Sequence, residues 1–328
     1  LKLMTSAFFR RGISFFAFKE VFIMLLSISL ILIMGMLMGW LCKKVKLPGL
    51  LGMLVTGIVL GPYVLDLLDA SILNISAELR KIALIIILTR AGLGLDISGL
   101  KKIGRPAVLM CFLPASFELL GIILLAPRLL GLSTLEAALL GSVLAAVSPA
   151  VVVPRMVRLM DEGYGTDKAI PHLIIAGASV DDVYVIVLFG AFTGMMDGEK
   201  ASVISFVNIP VSIFSGMAIG FLLGILLSFF FRKFHIRDTA KVLIILSLSF
   251  LLVTAEDALT IPITFSALIS IMFIGMGLQK KRPEVAKRLS GKYEKLWVAA
   301  EVFLFVLVGA TVNISYLGKV GPTAMLVI

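Results

Sequence analysis

The sequence predicts an all-α, polytopic membrane protein built as an inverted repeat with discontinuous helices. Its 328 residues are 60% hydrophobic, whereas soluble domains are about 45–50% apolar, and the mean hydropathy is +1.11. Apolar runs of bilayer-spanning length recur along the chain, and Gly or Pro interrupts several of them. Two cysteines provide no disulfide framework, and the two histidines lack the clustered cysteines of a transition-metal site.

Ten of these runs are predicted to cross the membrane, and an eleventh begins near Val320 and is cut off at Ile328. The predicted spans, numbered 1 to 10 in chain order, are 21–42, 50–66, 77–95, 106–127, 136–154, 170–193, 207–230, 240–255, 262–278 and 297–314.

Basic residues are distributed unevenly between alternate loops. Twenty lysines and arginines lie after odd-numbered spans, but only five lie after even-numbered spans. Cytoplasmic loops carry such an excess, so the odd loops are predicted to be cytoplasmic and the N-terminus to be outside. The net charge of +10 therefore follows from membrane topology, and we expect no nucleic-acid partner.

A short motif near the end of span 3 returns near the end of span 10. Residues 92–100 contain D-I-S-x-L, and residues 309–317 contain N-I-S-x-L; Pro48 and Pro262 open spans 2 and 9 at nearly the same separation. The charge pattern orients spans 2 and 9 in opposite directions. The match therefore predicts an inverted repeat, which is common in secondary transporters.

The length of the first repeat unit predicts the length of the second. Its first unit extends from about Pro48 to Phe234, and its second begins near Thr239. At equal length the second unit is incomplete at Ile328, so about three more helices are expected after it.

Two adjacent aspartates, Asp181 and Asp182, lie near the middle of span 6. A carboxylate at that depth costs several kcal/mol unless it faces water, an ion or a partner. Adjacent residues on a helix point about 100° apart, so one acid can face an aqueous cavity while the other meets a neighbouring helix. Two carboxylates this close titrate as a coupled pair. The pair therefore predicts a site where a proton and a hard cation bind at each other's expense.

Span 5 contains Pro149 and Pro154 within an apolar run, and Ser148 lies directly before Pro149. Each proline removes a backbone donor and frees a carbonyl one turn earlier. Broken helices in the middle of a membrane supply the carbonyls and helix dipoles that bind ions in transporters, and the Ser148 hydroxyl could add an oxygen ligand. The alternative is a packing kink without function; the aspartates on the next helix favour the ion site.

Three other intramembrane side chains have two interpretations each. Ser179, one turn before Asp182, could donate a hydrogen bond to the carboxylate or to its own helix backbone. Glu118 in span 4 could belong to a proton path or to a structural ion pair whose base is not evident in this chain. Arg90, six residues before Asp96, could be structural or functional; the structural interpretation, in which its guanidinium extends to the cytoplasmic surface, is favoured.

Glycines recur at the spacing that allows close packing of membrane helices. The first set is Gly35 and Gly39, and the second is Gly216, Gly220 and Gly224. Either set could serve a dimer interface or packing within the chain.

Four segments together resemble the monovalent cation/proton antiporter superfamily. They are A-G-L-G-L-D (91–96), A-V-S-P-A-V-V-V-P (146–154), G-Y-G (163–165) and A-S-V-D-D (178–182). Within the superfamily they are most similar to the NHA-type sodium/proton exchangers, the branch with paired aspartates. The resemblance extends from about Pro48 to Leu317.

The resemblance implies a homodimer in which a core domain with two crossed broken helices moves against a scaffold domain. It implies scaffold helices in 1–103, core helices in 104–196, a linker helix in 197–238, scaffold helices in 239–318 and the start of a truncated core helix in 319–328.

The same resemblance assigns roles to single residues. It implies that Na⁺ binds at Asp181 and Asp182, that Ser148 belongs to the first broken helix, and that Glu118 pairs with a basic residue. That base and the second broken helix would lie after Ile328.

We therefore expect a secondary antiporter that exchanges Na⁺ or Li⁺ for H⁺ by alternating access, in the inner membrane of a prokaryotic cell. Deprotonated Asp182 would bind the cation with Asp181 and oxygens near Ser148, and protonation would expel it. The sequence contains no nucleotide loop, redox group or nucleophile triad, so we expect neither an enzyme nor a cofactor.

Two alternatives remain at this point. A K⁺/H⁺ antiporter or K⁺ efflux system of the same superfamily would share these motifs. An intramembrane aspartyl hydrolase would also use two acids, but usually on separate facing helices, whereas Asp181 and Asp182 are adjacent.

Overall fold

The computed structural model describes residues 15–94, 104–196, 203–258 and 265–316. Within these ranges all regular structure is helical, with thirteen α-helices and one 3₁₀ turn at Ile314–Tyr316. The helices are α1 Phe15–Lys44, α2 Gly49–Leu60, α3 Ala70–Asn74, α4 Ser76–Gly94, α5 Arg105–Met110, α6 Leu113–Leu130, α7 Thr134–Leu144, α8 Pro149–Asp161, α9 Ile170–Met196, α10 Val203–Lys233, α11 Asp238–Ala258, α12 Ala267–Lys281 and α13 Pro283–Ala310. The predicted all-α class is confirmed.

Four helical segments in the described ranges are long and apolar enough to cross a membrane. They are Ile23–Lys44, Val108–Leu130, Pro210–Lys233 and Asp238–Ala258. Predicted span 5 is divided into two helices, and some other spans are shorter than predicted. Span 2, for example, was expected to reach residue 66, but α2 ends at Leu60 because Pro62 follows almost at once.

The chain divides into two compact units. Unit 1 takes its described residues from 1–83 and 298–320, and unit 2 takes its described residues from 84–297. The division into scaffold, core and linker helices in the ranges that the sequence suggests stays a prediction.

Unit 1 is held together by close contacts at glycines. Gly39 lies against Met53 and the Gly49 carbonyl, and Gly35 lies against Val302 and Val306. A methyl group on Gly57 would collide with the Val306 backbone. Gly35 and Gly39 therefore pack helices within this chain.

In unit 2 the second set of glycines joins α10 to α12. Gly216 faces the Ser266 carbonyl, and a Cβ on Gly220 would collide with the carbonyl of Ser270. Gly224 makes the same kind of approach to Ile274 one turn later. This regular series lets the two backbones run side by side at a distance that larger residues would prevent.

Candidate ion-binding site at a helix break

Predicted span 5 is two helices with a short non-helical segment between them. Helix α7 begins with a capping box, in which Ser133 and Glu136 each bond the other's backbone N–H, and it ends at Leu144. Helix α8 begins at Pro149, with Ser148 in an extended conformation before it. Proline fits the first helical position because its missing N–H would have no partner there, and it disfavours a helical residue before it. The sequence therefore places the break directly before Pro149.

Asp181, on α9, lies against this break. Its side chain is buried, with 2% of the residue exposed, and its Oδ2 accepts a hydrogen bond of 3.0 Å from the backbone N–H of Val147. Val147 belongs to the segment between α7 and α8, where no helical carbonyl is available to this donor. The carboxylate thus satisfies a backbone group that the break would otherwise leave without a partner.

The second oxygen of Asp181 differs from the first. Oδ1 is buried and has no hydrogen-bond partner among the described residues. A buried acceptor without a partner is costly, and the cost falls if a proton or a cation binds it. One oxygen of Asp181 therefore anchors the break while the other can take part in binding.

A pair of hydroxyl groups connects α6 to α9 beside Asp181. Ser116 Oγ and Tyr184 OH are 2.9 Å apart, and the Phe112 and Tyr184 rings pack edge to face with centroids 5.4 Å apart. Tyr184 also packs against the cluster of Ala115, Ala145 and Val185, and Ala145 is the first residue after α7. Sequence reasoning missed this contact, although Tyr184 lies three residues after Asp181 and thus on a neighbouring part of the helix surface.

Three other predicted site residues, Ser148, Glu118 and Pro154, lie in the described part of the structure. Ser148 is exposed, and its hydroxyl makes no capping bond to α8. Glu118 is exposed on α6, and the described part of the chain shows no salt bridge to it. Pro154 lies inside α8, which continues through it to Asp161.

Three predicted site residues have side chains outside the described part of the structure. Asp182 and Ser179 belong to α9, and Pro149 is the first residue of α8. Their roles stay predictions.

A cavity of about 420 Å³ lies at the far end of α8, between α4, α12 and α13. Arg90 lines it, is buried, and donates from Nη2 to Glu294 Oε1 at 3.2 Å. The prediction that Arg90 reaches the surface is therefore wrong: a carboxylate within unit 2 compensates its charge, so the side chain need not extend to water. Asp161, the last residue of α8, lines the same cavity.

Comparison with known proteins agrees with the resemblance noted in the sequence. Residues 21–328 match the family model described as "Sodium/hydrogen exchanger, transmembrane". Human sodium/hydrogen exchanger 9B2 is 36% identical over 280 residues, which cover 83% of this chain and 50% of that protein. Human sodium/hydrogen exchanger 9B1 is 31% identical over 281 residues, which cover 83% of this chain and 53% of that protein. The chain thus spans about half the length of the curated relatives it matches.

A solved structure shares the fold. The sodium proton antiporter MjNhaP1 from Methanocaldococcus jannaschii superposes with a TM-score of 0.78 over 94% of this chain and 75% of that chain, at 22% sequence identity. An identity this low supports the fold rather than the ions carried.

Proposed function

This chain belongs to the sodium/hydrogen exchanger family, and from that membership and the surroundings of Asp181 we propose that it exchanges Na⁺ for H⁺ across a membrane. It is an integral membrane protein. The observation that carries the proposal is the buried Asp181 carboxylate, with one oxygen bonded to Val147 and the other without a partner among the described residues.

In the proposed mechanism the cation and the proton compete for the aspartate pair. Hard cations prefer oxygen ligands, which Asp181, Asp182 and the open backbone near Ser148 can supply together. Protonation removes negative charge from the pair and so releases the cation. The bond from Val147 holds Asp181 against the break in both states, which keeps the ligands in place for the next ion.

Na⁺ is favoured over K⁺ by the names of the relatives, which are sodium/hydrogen exchangers. Li⁺ is proposed as a second substrate because it is a hard cation of the same charge. Transport is favoured over aspartyl hydrolysis because the relatives are exchangers and because Asp181 and Asp182 are adjacent on one helix.

We extend the proposal to a homodimer with a moving core and a fixed scaffold, as the family resemblance implies. Helix α1 supports it by exposing Ile33, Met36 and Trp40, an apolar face that lipid or a second copy can cover. A prokaryotic inner membrane is also proposed; the curated relatives come from human, mouse and Xenopus tropicalis.

The test is ion-driven proton movement in proteoliposomes that contain the purified protein. An outward Na⁺ gradient should change the internal pH, Li⁺ should do the same, and K⁺ should produce a much smaller change. A proton flux that K⁺ drives as well as Na⁺ would favour the K⁺ alternative. No cation-dependent flux, in protein shown to be folded, would contradict antiport.

A further inference from the structure

A second cavity in unit 2, of about 370 Å³, has a strongly basic lining. It lies where α10 ends, α11 begins and α12 meets α13. Five lysine and arginine side chains contribute to it: Arg232, Arg237, Lys241, Arg282 and Arg288. His235 also lines it and adds a sixth basic group.

The carboxylate of Asp238 offsets part of this charge. Asp238 accepts from Lys241 Nζ at 2.8 Å and from Arg288 Nε at 2.8 Å. Within the described residues no salt bridge reaches Arg232, Arg237 or Arg282. Like charges gathered in a concave site repel one another unless an anion binds between them, so the excess positive charge indicates an anionic ligand.

The cavity is organised before any ligand binds. Lys241 is 7% exposed, and its ammonium lies 5.9 Å from the centre of the buried Phe231 ring. Asp238 holds both Lys241 and Arg288 in place. Cations already fixed lose little conformational entropy on binding.

The position of the cavity identifies the source of the anion. The loop between α10 and α11 and the loop between α12 and α13 are cytoplasmic by the distribution of basic residues. Phe229, Phe230 and Phe234, at the end of α10, are 54%, 40% and 47% exposed. Exposed apolar rings at the end of a helix long enough to cross a membrane can lie against lipid, while the basic residues beside them lie at the membrane surface. A ligand here can therefore have a charged group in the cavity and an apolar part along α10.

We propose that this cavity binds the phosphate headgroup of an anionic phospholipid from the cytoplasmic leaflet. Arginine binds phosphate oxygens through two parallel N–H groups, and basic pockets between helices on this side of a membrane suit such headgroups. Arg232, Arg237 and Arg282 supply the unneutralised charges, while Phe229 and Phe230 lie beside the acyl chains. The proposal is independent of the ion that the protein transports.

The experiment measures thermal unfolding of the purified chain in neutral detergent, titrated with dioleoyl phosphatidylglycerol, with dioleoyl phosphatidylcholine or with inorganic phosphate. The test variant replaces Arg232, Arg237 and Arg282 with Gln. The matched control replaces Lys281, Lys292 and Lys295, exposed cytoplasmic cations outside the cavity, with Gln, so both variants lose the same charge.

Phosphatidylglycerol should stabilise the unmodified chain and the control at the same lipid concentration. One basic residue near an anionic surface changes lipid affinity about fivefold, so the triple cavity variant should need roughly a hundredfold more lipid. The single Arg237→Gln variant changes an exposed position and should need about fivefold more lipid than the unmodified chain. It replaces the triple variant in the experiment if the triple variant does not fold.

Three results would overturn the proposal. Equal responses of the cavity variants and the control would place lipid binding elsewhere. Equal stabilisation by phosphatidylcholine would remove the role of the phosphate charge. Full stabilisation by inorganic phosphate, with nothing added by phosphatidylglycerol, would identify a free anion as the ligand.

Discussion

The backbone N–H of Val147 donates to the Asp181 carboxylate across 34 residues of sequence, at 3.0 Å. The bond joins the middle of a broken helix to the middle of an unbroken one. It gives Asp181 a structural role in addition to any role in binding ions, and substitutions can separate the two.

Asp181→Ala and Asp181→Asn should differ in stability. Asparagine keeps an oxygen that can accept from Val147, whereas alanine leaves that N–H without its partner, at a cost of about 1–3 kcal/mol. We expect a lower unfolding temperature for the alanine variant than for the asparagine variant, measured in the same detergent. Equal unfolding temperatures would mean that the Val147 bond contributes little to stability.

Tyr184→Phe should weaken the connection between α6 and α9 without removing the packing of the ring. The ring still packs on Phe112, and Ser116 still donates to the Phe112 carbonyl at 2.7 Å, so the loss should be about 0.5–1.5 kcal/mol. Tyr164, which is 64% exposed, provides the control Tyr164→Phe, with no expected change. A double-mutant cycle with Ser116→Ala measures the coupling; a coupling of zero would rule out the hydroxyl pair as a stabilising contact.

Gly220→Ala should destabilise unit 2 more than a typical surface change. The added methyl collides with the Ser270 backbone, which cannot move as a flexible side chain does, and overpacking costs about 1–3 kcal/mol. Gly121, in the middle of α6, has open space at its Cβ position, so Gly121→Ala should be neutral or slightly stabilising. Similar unfolding temperatures for the two variants would refute the close approach of α10 and α12.

Competition at the aspartate pair predicts a steep pH dependence. If the proton and the cation bind the same carboxylate, the apparent Na⁺ affinity should fall about tenfold for each pH unit below the pKa of the site. The measurement is the Na⁺ concentration for half-maximal exchange in proteoliposomes at several pH values. An affinity that stays constant over that range would indicate separate sites.

Features that depend on local chemistry were predictable from the sequence. Long apolar runs locate most helices, Pro149 places the start of α8, and the spacing of Gly216, Gly220 and Gly224 correctly indicates close packing. The end of α2 was predicted too late because the residues after Leu60 stay apolar although Pro62 prevents a helix.

Contacts between distant residues were not predictable in the same way. Neither the spacing nor the composition indicates that Asp181 faces Val147, that Tyr184 meets Ser116 or that Arg90 pairs with Glu294. These pairs depend on how helices pack, which one sequence does not determine residue by residue. A carboxylate, a phenol or a guanidinium in an apolar run does indicate that some partner is needed.

The exchange activity of Asp182→Asn tests the central claim, that the aspartate pair carries the ion and the proton. The purified protein would be reconstituted in liposomes, and proton flux driven by a Na⁺ gradient would be followed with an internal pH dye. Asp167→Asn, at an exposed loop position, is the matched control. We predict that Asp182→Asn folds normally and shows no Na⁺-dependent flux while the control keeps it; robust flux in the folded Asp182→Asn protein would contradict the account.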